Sequence, residues 1–177
     1  GKKVIYSPDV LEFVTVGIEF CAFLEKSPGR PRRDFMDTML KLLPLLYVKA
    51  QLLPGVESDG EWLPGGKVAE ADYEYIRHTV YDIVGEADQY LDFSYENEME
   101  TDEAQWKSLA EHFADIYQPV RNFLAVYEDG VEACMHDALW AVKDNFEQYW
   151  GEALVDALKR LHRLRYAATS DGYEEEE

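Results

Sequence analysis

Cysteine is scarce in this sequence: only Cys21 and Cys134 occur, 113 residues apart, which excludes both a CxxC metal pair and a disulfide framework. Both fall on apolar stretches and read as inert core residues, and a reducing cytoplasm fits this usage. Histidine is scarce too. A di-iron bundle places an acid three residues before its ligand histidine, but the residues before His78, His112, His136 and His162 are Tyr75, Leu109, Ala133 and Lys159. No histidine is followed by glutamate, so the zinc-protease pattern HExxH is absent as well. Long apolar runs are missing: the stretch from Val10 to Leu24 is broken by Glu12 and Glu19, which rules it out as a transmembrane span or signal-peptide core. No lipidation signal is present, and a first residue of Gly rather than Met reads as a trimmed start.

Positive charge is in short supply. Seventeen basic against thirty-six acidic residues leave −19 at pH 7, a charge that repels phosphate backbones and anionic lipid. Neither nucleic acid nor a membrane is expected as a partner. The imbalance is concentrated: residues 51 to 130 carry four basic and nineteen acidic groups, a net of −15. The terminal run Glu174 to Glu177 reads as the end of an acidic, disordered tail over residues 170–177, leaving 1–169 as one helical domain. GxSxG is absent, and Pro64-Gly65-Gly66-Lys67 lacks the spacing and the trailing Ser or Thr of a phosphate-binding loop. No cofactor is expected.

What the sequence does contain is apolar residues at helical spacing. At 47% apolar content, with 12 Tyr, 8 Phe and 4 Trp, 177 residues can fill one sizeable core. Ser7-Pro8-Asp9 has the chemistry of a helix start. The helix it opens, to about Lys26, is apolar on two faces around a thin stripe of Glu12, Thr15 and Glu19, which predicts a central place in a bundle. Carboxylates beside a core need partners, and Arg77 and Arg121 are the candidates. A second helix is expected over Asp34 to Leu53, with Asp37 and Lys41 paired on its exposed side and a kink at Pro44. Pro54 to Gly66 reads as a long loop pinned by Trp62 or serving as a binding lid.

Helix three is predicted over Glu70 to Val84, stopped by Gly85. Residues 86–100, acidic and aromatic, read as a short helix and a loop. Thr101-Asp102-Glu103 is expected to open the fourth helix, with Trp106, Leu109, Phe113, Ile116, Val120, Phe123 and Tyr127 as its stripe, a bend at Pro119 and a stop at Asp129-Gly130. From Val131 to Tyr166 a stripe from Met135 to Leu161 keeps its phase for what would be about 54 Å of helix, so a bend is expected, with Gly151 as the break. Lys159, Arg160, Arg163 and Arg165 crowd its last turns, where cations meet the negative end of the dipole. No period-two run rivals these signals and no repeat recurs. The fold class is therefore all-α: a single-domain bundle of five to six mostly antiparallel helices, two of them kinked at internal prolines.

Two stretches carry a family likeness. VIYSPDVLEFVTVGIEFCAFLE near the start and NFEQYWGEALVDALKRLHRLRY near the end resemble a family of uncharacterised Bacteroidetes proteins known only as a domain of unknown function. The resemblance implies an all-helical fold over nearly the whole chain and brings no activity, cofactor or functional residue.

Two functional expectations remain. The first is a cytoplasmic, acidic helical interaction module for a protein with a basic surface, with Trp62, Tyr90, Phe93 and Tyr95 as partner-binding residues. The second is a metal-assisted hydrolase or small-molecule-binding bundle. Glu74, His78 and Asp82 at i, i+4, i+8 and Glu132 with His136 at i, i+4 would be its metal ligands. Such spacings arise often in acidic helices, and ordinary surface pairing explains them better.

Overall fold

The structure, a computed structural model, describes residues 3–58, 67–93 and 104–167. Trp62, Tyr95, the opening at Thr101 to Glu103 and the tail over 170–177 lie outside the described residues. Six α-helices are present among them: α1 (Pro8–Glu25), α2 (Arg32–Gln51), α3 (Glu70–Val84), α4 (Leu109–Asp129), α5 (Glu132–Asn145) and α6 (Gly151–Tyr166). The molecule is a mostly helical single domain. Its departure from an all-α pattern is a small antiparallel ribbon of β1 (Gln89–Asp92) and β2 (Gln105–Ser108).

The helix starts and stops follow from local chemistry. α1 opens at Pro8 with Asp9 in its first turn, although the Ser7 hydroxyl makes no capping bond. α3 spans Glu70–Val84 and ends at Gly85, whose φ of 56° suits a residue without Cβ. α4 ends at Gly130 in the left-handed region, φ 77°. Pro44 and Pro119 sit inside α2 and α4, which continue through them.

α4 occupies the centre. It packs against α1, α3, α5 and α6, and buries Phe113, Ile116, Val120 and Phe123 among others. The central place predicted for the first helix therefore belongs to the fourth. α1 buries Val10, Phe13, Val16, Gly17, Phe20, Cys21 and Leu24, but its second apolar flank shows Leu11 and Ile18 to solvent. Edge-to-face aromatic pairs tie the core together, Phe13 with Phe123 at 5.6 Å and Phe35 with Phe113 at 5.3 Å.

Between α5 and α6 regular α-helix is interrupted just before Gly151, the expected break, where α6 begins. Phe146–Trp150 forms a π-turn, closed by a bond from the Gly151 amide to the Phe146 carbonyl. The extra residue keeps the stripe in phase, with Met135, Ala138, Val142, Phe146, Trp150, Leu154 and Leu161 all buried. A Cβ at Gly151 would lie 2.5 Å from the Phe146 carbonyl oxygen, so glycine is there for close approach. The Trp150 indole donates to the Val142 carbonyl at 3.0 Å and fastens the turn.

The expected surface pairings are redistributed. Glu12 lies on the solvent side and meets Lys49 of α2 at 2.6 Å, while Arg77 binds Glu74 and Arg121 stands 3.7 Å from Glu25; Glu19 is exposed. The Asp37 carboxylate accepts from Arg165 of α6 at 2.7 Å rather than from Lys41, whose ammonium reaches only the Asp37 backbone carbonyl. Both cysteines are free. Cys21 is buried, which pushes its thiol well above the usual range, and Cys134 is half-buried. No helix among the described residues is long and apolar enough to cross a membrane.

Candidate functional site

The ribbon is the least expected element, and it forms because a helix start holds it in place. Ser108 is the N-cap of α4, its hydroxyl accepting from the Glu111 amide at 3.1 Å. Asp88, just before β1, completes the cap from 22 residues away: one carboxylate oxygen accepts from the Ala110 amide at 2.6 Å, the other from the Ser108 hydroxyl at 2.8 Å. The Asp88 carbonyl also accepts from the Leu109 amide at 3.0 Å. Three orphan donors of a buried helix start are satisfied by the chain entering β1 and by Ser108.

Alternation along the strands then separates two faces. The inner face turns to α4 and α6. There the Tyr90 hydroxyl lies 2.7 Å from Nε2 of buried His112, and the Arg160 guanidinium covers the Tyr90 ring at 4.7 Å while donating to the Ala87 carbonyl at 2.8 Å. Lys107 stands between two carboxylates, Asp92 at 2.8 Å and Asp156 of α6 at 3.1 Å. Burial holds the His112 ring below its ordinary pKa, against the opposing charge of Asp156, and pushes the Tyr90 phenol up to about 12. Burial also works against the Lys107 ammonium, but the two carboxylates outweigh it and raise its pKa. The hydrogen bond from Lys107 lowers that of Asp92.

The outer face carries Leu91 directly opposite Trp106, with Phe93 one residue past the end of β1 on the same side. These side chains are 46%, 69% and 63% exposed. Of the partner-binding residues expected from sequence, Phe93 is thus on the surface, whereas Tyr90 is turned inward. Trp106, assigned above to the core stripe of the fourth helix, belongs to this outer face. Its position three residues before Leu109 mimics helical phase with the core stripe of α4. The signal that locates the true helix start was present in Ser108-Leu109-Ala110-Glu111, a capping-box spacing.

No metal site is expected from the sequence, and its five weak candidates, Glu74, His78, Asp82, Glu132 and His136, are not gathered into one set among the described residues. Glu74 is held by Arg77, the exposed His78 lies 3.2 Å from Asp82, and Glu132 binds Lys3 and the Tyr6 hydroxyl of the N-terminal segment. Among the described residues, no group of three or more His, Cys, Asp or Glu side chains is placed to hold a metal ion. The basic residues at the end of α6 serve as cross-links to other elements: Arg160 to the ribbon, Lys159 within 4.0 Å of Asp92, and Arg165 to α2.

A second feature is a cleft of about 570 Å³ between α4, α5 and the π-turn. Asp115, Gln118, Asn122, Asn145, Gln148 and Glu152 contribute polar groups to it, and Phe123, Tyr149 and Trp150 contribute rings. The Asn122 side-chain Oδ1 accepts from the Lys67 and Val68 backbone amides at 2.8 and 2.7 Å, and the Asp115 carboxylate accepts from the Tyr73 hydroxyl at 2.7 Å.

Fold and sites together define a small helical bundle with an appended ribbon and a polar interhelical cleft. The chain belongs to the family described as a domain of unknown function, DUF5063, whose model matches residues 4–167. Among solved structures it is similar to protein BF1032 from Bacteroides fragilis, at 39% identity over 95% of this chain and 99% of that one, with a TM-score of 0.85. No curated protein matches.

Proposed function

We propose that the protein is a cytoplasmic, acidic interaction module that offers the outer face of its ribbon to a partner protein with a basic surface. The observation that carries the reading is the exposed set Leu91, Phe93 and Trp106 on a ribbon whose opposite face is fastened by Asp88, Tyr90 and Lys107. Large apolar side chains grouped at a surface mark interaction sites, and tryptophan is among the residues enriched as anchors of such sites. A ribbon held rigid before binding gives up little conformational entropy on contact. The surrounding excess of carboxylates would attract a basic partner and repel acidic competitors.

The test is comparative capture. Immobilised wild-type, Trp106→Ala and Phe93→Ala proteins are exposed to the same Bacteroides extract, and the eluates are quantified by mass spectrometry. A protein enriched on the wild type is expected to fall about tenfold or more on Trp106→Ala, since truncating an interface anchor removes 1.4 kcal/mol or more. Trp106 is 69% exposed, so its loss should leave stability within about 0.5 kcal/mol. Identical capture by all three proteins would remove the ribbon from the interface.

A further inference from the structure

We infer that the cleft between α4, α5 and the π-turn is a binding site for an organic cation, a primary amine or guanidine. It shares no residue with the ribbon and so stands apart from the interaction reading.

At about 570 Å³ the cleft has the size of a small-molecule site, and it opens at a π-turn, a distortion that recurs at functional sites. The charge of its walls selects the ligand. Its acidic side chains are Asp115 and Glu152, and no Lys, Arg or His among the described residues lines it. Asp115 and Glu152 are both exposed, so an anion would be repelled by them and a neutral guest would leave their charge uncompensated. A cation compensates both carboxylates.

The remaining polar groups suit the same guest. Gln118 and Asn145 make no side-chain hydrogen bond to any described residue, so their amide oxygens are open to accept from an ammonium or guanidinium. Asp115 is held in place by the Tyr73 hydroxyl at 2.7 Å and keeps acceptor positions on its other oxygen. The ring of Tyr149, 69% exposed, supplies aromatic surface of the kind that attracts cations.

The experiment is an NMR titration of the ¹⁵N-labelled full chain, following the side-chain amide signals of Gln118 and Asn145. The probes are agmatine, spermidine and tyramine as free cations, acetyl-Gly-Arg-Gly amide as a peptide-borne guanidinium, and 4-ethylphenol and pentanoate as neutral and anionic controls. At least one cation is expected to shift these signals saturably below millimolar concentration, and to bind about tenfold or more tighter than either control. The Asp115→Asn/Glu152→Gln double variant, with its fold checked by circular dichroism, should weaken that cation by a similar factor. If the peptide saturates the site and the free amines do not, the guanidinium comes from a protein; the reverse result assigns a free metabolite. Binding of 4-ethylphenol as tight as that of tyramine, or no saturable shift by any cation at millimolar concentration, overturns the inference. The comparison of tyramine with 4-ethylphenol uses the wild type alone and stands even if the variant fails to fold.

Discussion

His112 shows how one buried side chain couples the ribbon to the rest of the molecule. The residue is 9% exposed on α4 and its ring lies 2.7 Å from the Tyr90 hydroxyl, with Asp88, Asp92, Lys107, Asp115 and Asp156 as charged groups around it. Burial lowers its pKa in the folded state, so the unfolded chain takes up a proton more readily. The neutral ring therefore contributes stability that is complete above about pH 6.5, the unfolded value, and is lost as the pH falls toward the lower folded value. In a protonated ring Nε2 can only donate to the Tyr90 hydroxyl oxygen. The urea midpoint of the wild type is expected to drop between about pH 7 and pH 5, and that of His112→Gln to drop less. Loss of net negative charge on acidification acts on both proteins alike, so the difference between their slopes isolates the histidine. Parallel slopes would mean that His112 charges as freely in the fold as outside it. Nothing in the sequence marks this residue, because its burial and its hydroxyl partner come from two segments 22 residues apart.

Among the elements, the π-turn carries the sharpest sequence requirement. In an ordinary helix, replacing Gly by Ala stabilises by about 1 kcal/mol. At position 151 the added Cβ would meet the Phe146 carbonyl oxygen at 2.5 Å and the Phe146 ring at 3.0 Å, so the sign reverses. Gly151→Ala is expected to destabilise by roughly 1–3 kcal/mol in urea unfolding, as overpacking against backbone does. A stabilised variant would show that the turn relaxes to regular α-helix without loss. The sequence pointed to Gly151 as the break, and α6 does begin there, but the interruption before it is a π-turn whose inserted residue keeps the stripe on either side in phase. The ribbon illustrates the opposite case. Four-residue strands are too short to show a period, and Gln105 to Ser108 continued the helical phase of α4 backwards, so only the pairing with Gln89–Asp92 reveals them.

For the whole molecule, the distribution of charge sets how a partner arrives. Residues 51 to 130, which hold α3, the ribbon and α4, carry −15 of the net −19. Association with the partner captured through Trp106 is expected to slow by about tenfold or more between roughly 0.05 and 0.5 M salt, with dissociation little changed, since screening acts on long-range approach. Surface plasmon resonance at the two salt concentrations measures both rates, and a salt-independent association rate would assign the acidity to solubility instead. By itself the sequence determined a mostly helical domain, the extent of α3, the start of α1 and the stops at Gly85 and Gly130, because apolar period, capping residues and glycine's access to positive φ act within a few residues of chain. Tertiary structure alone decided that α4 and not α1 lies at the centre, that Trp106 faces solvent, and that Asp37 serves α6. It also decided that a cleft opens beside the π-turn. Each of these depends on which distant segments meet, as Asp88 meets Ala110, Lys107 meets Asp156 and Gly17 meets Val120, and on the dehydration that such contacts impose.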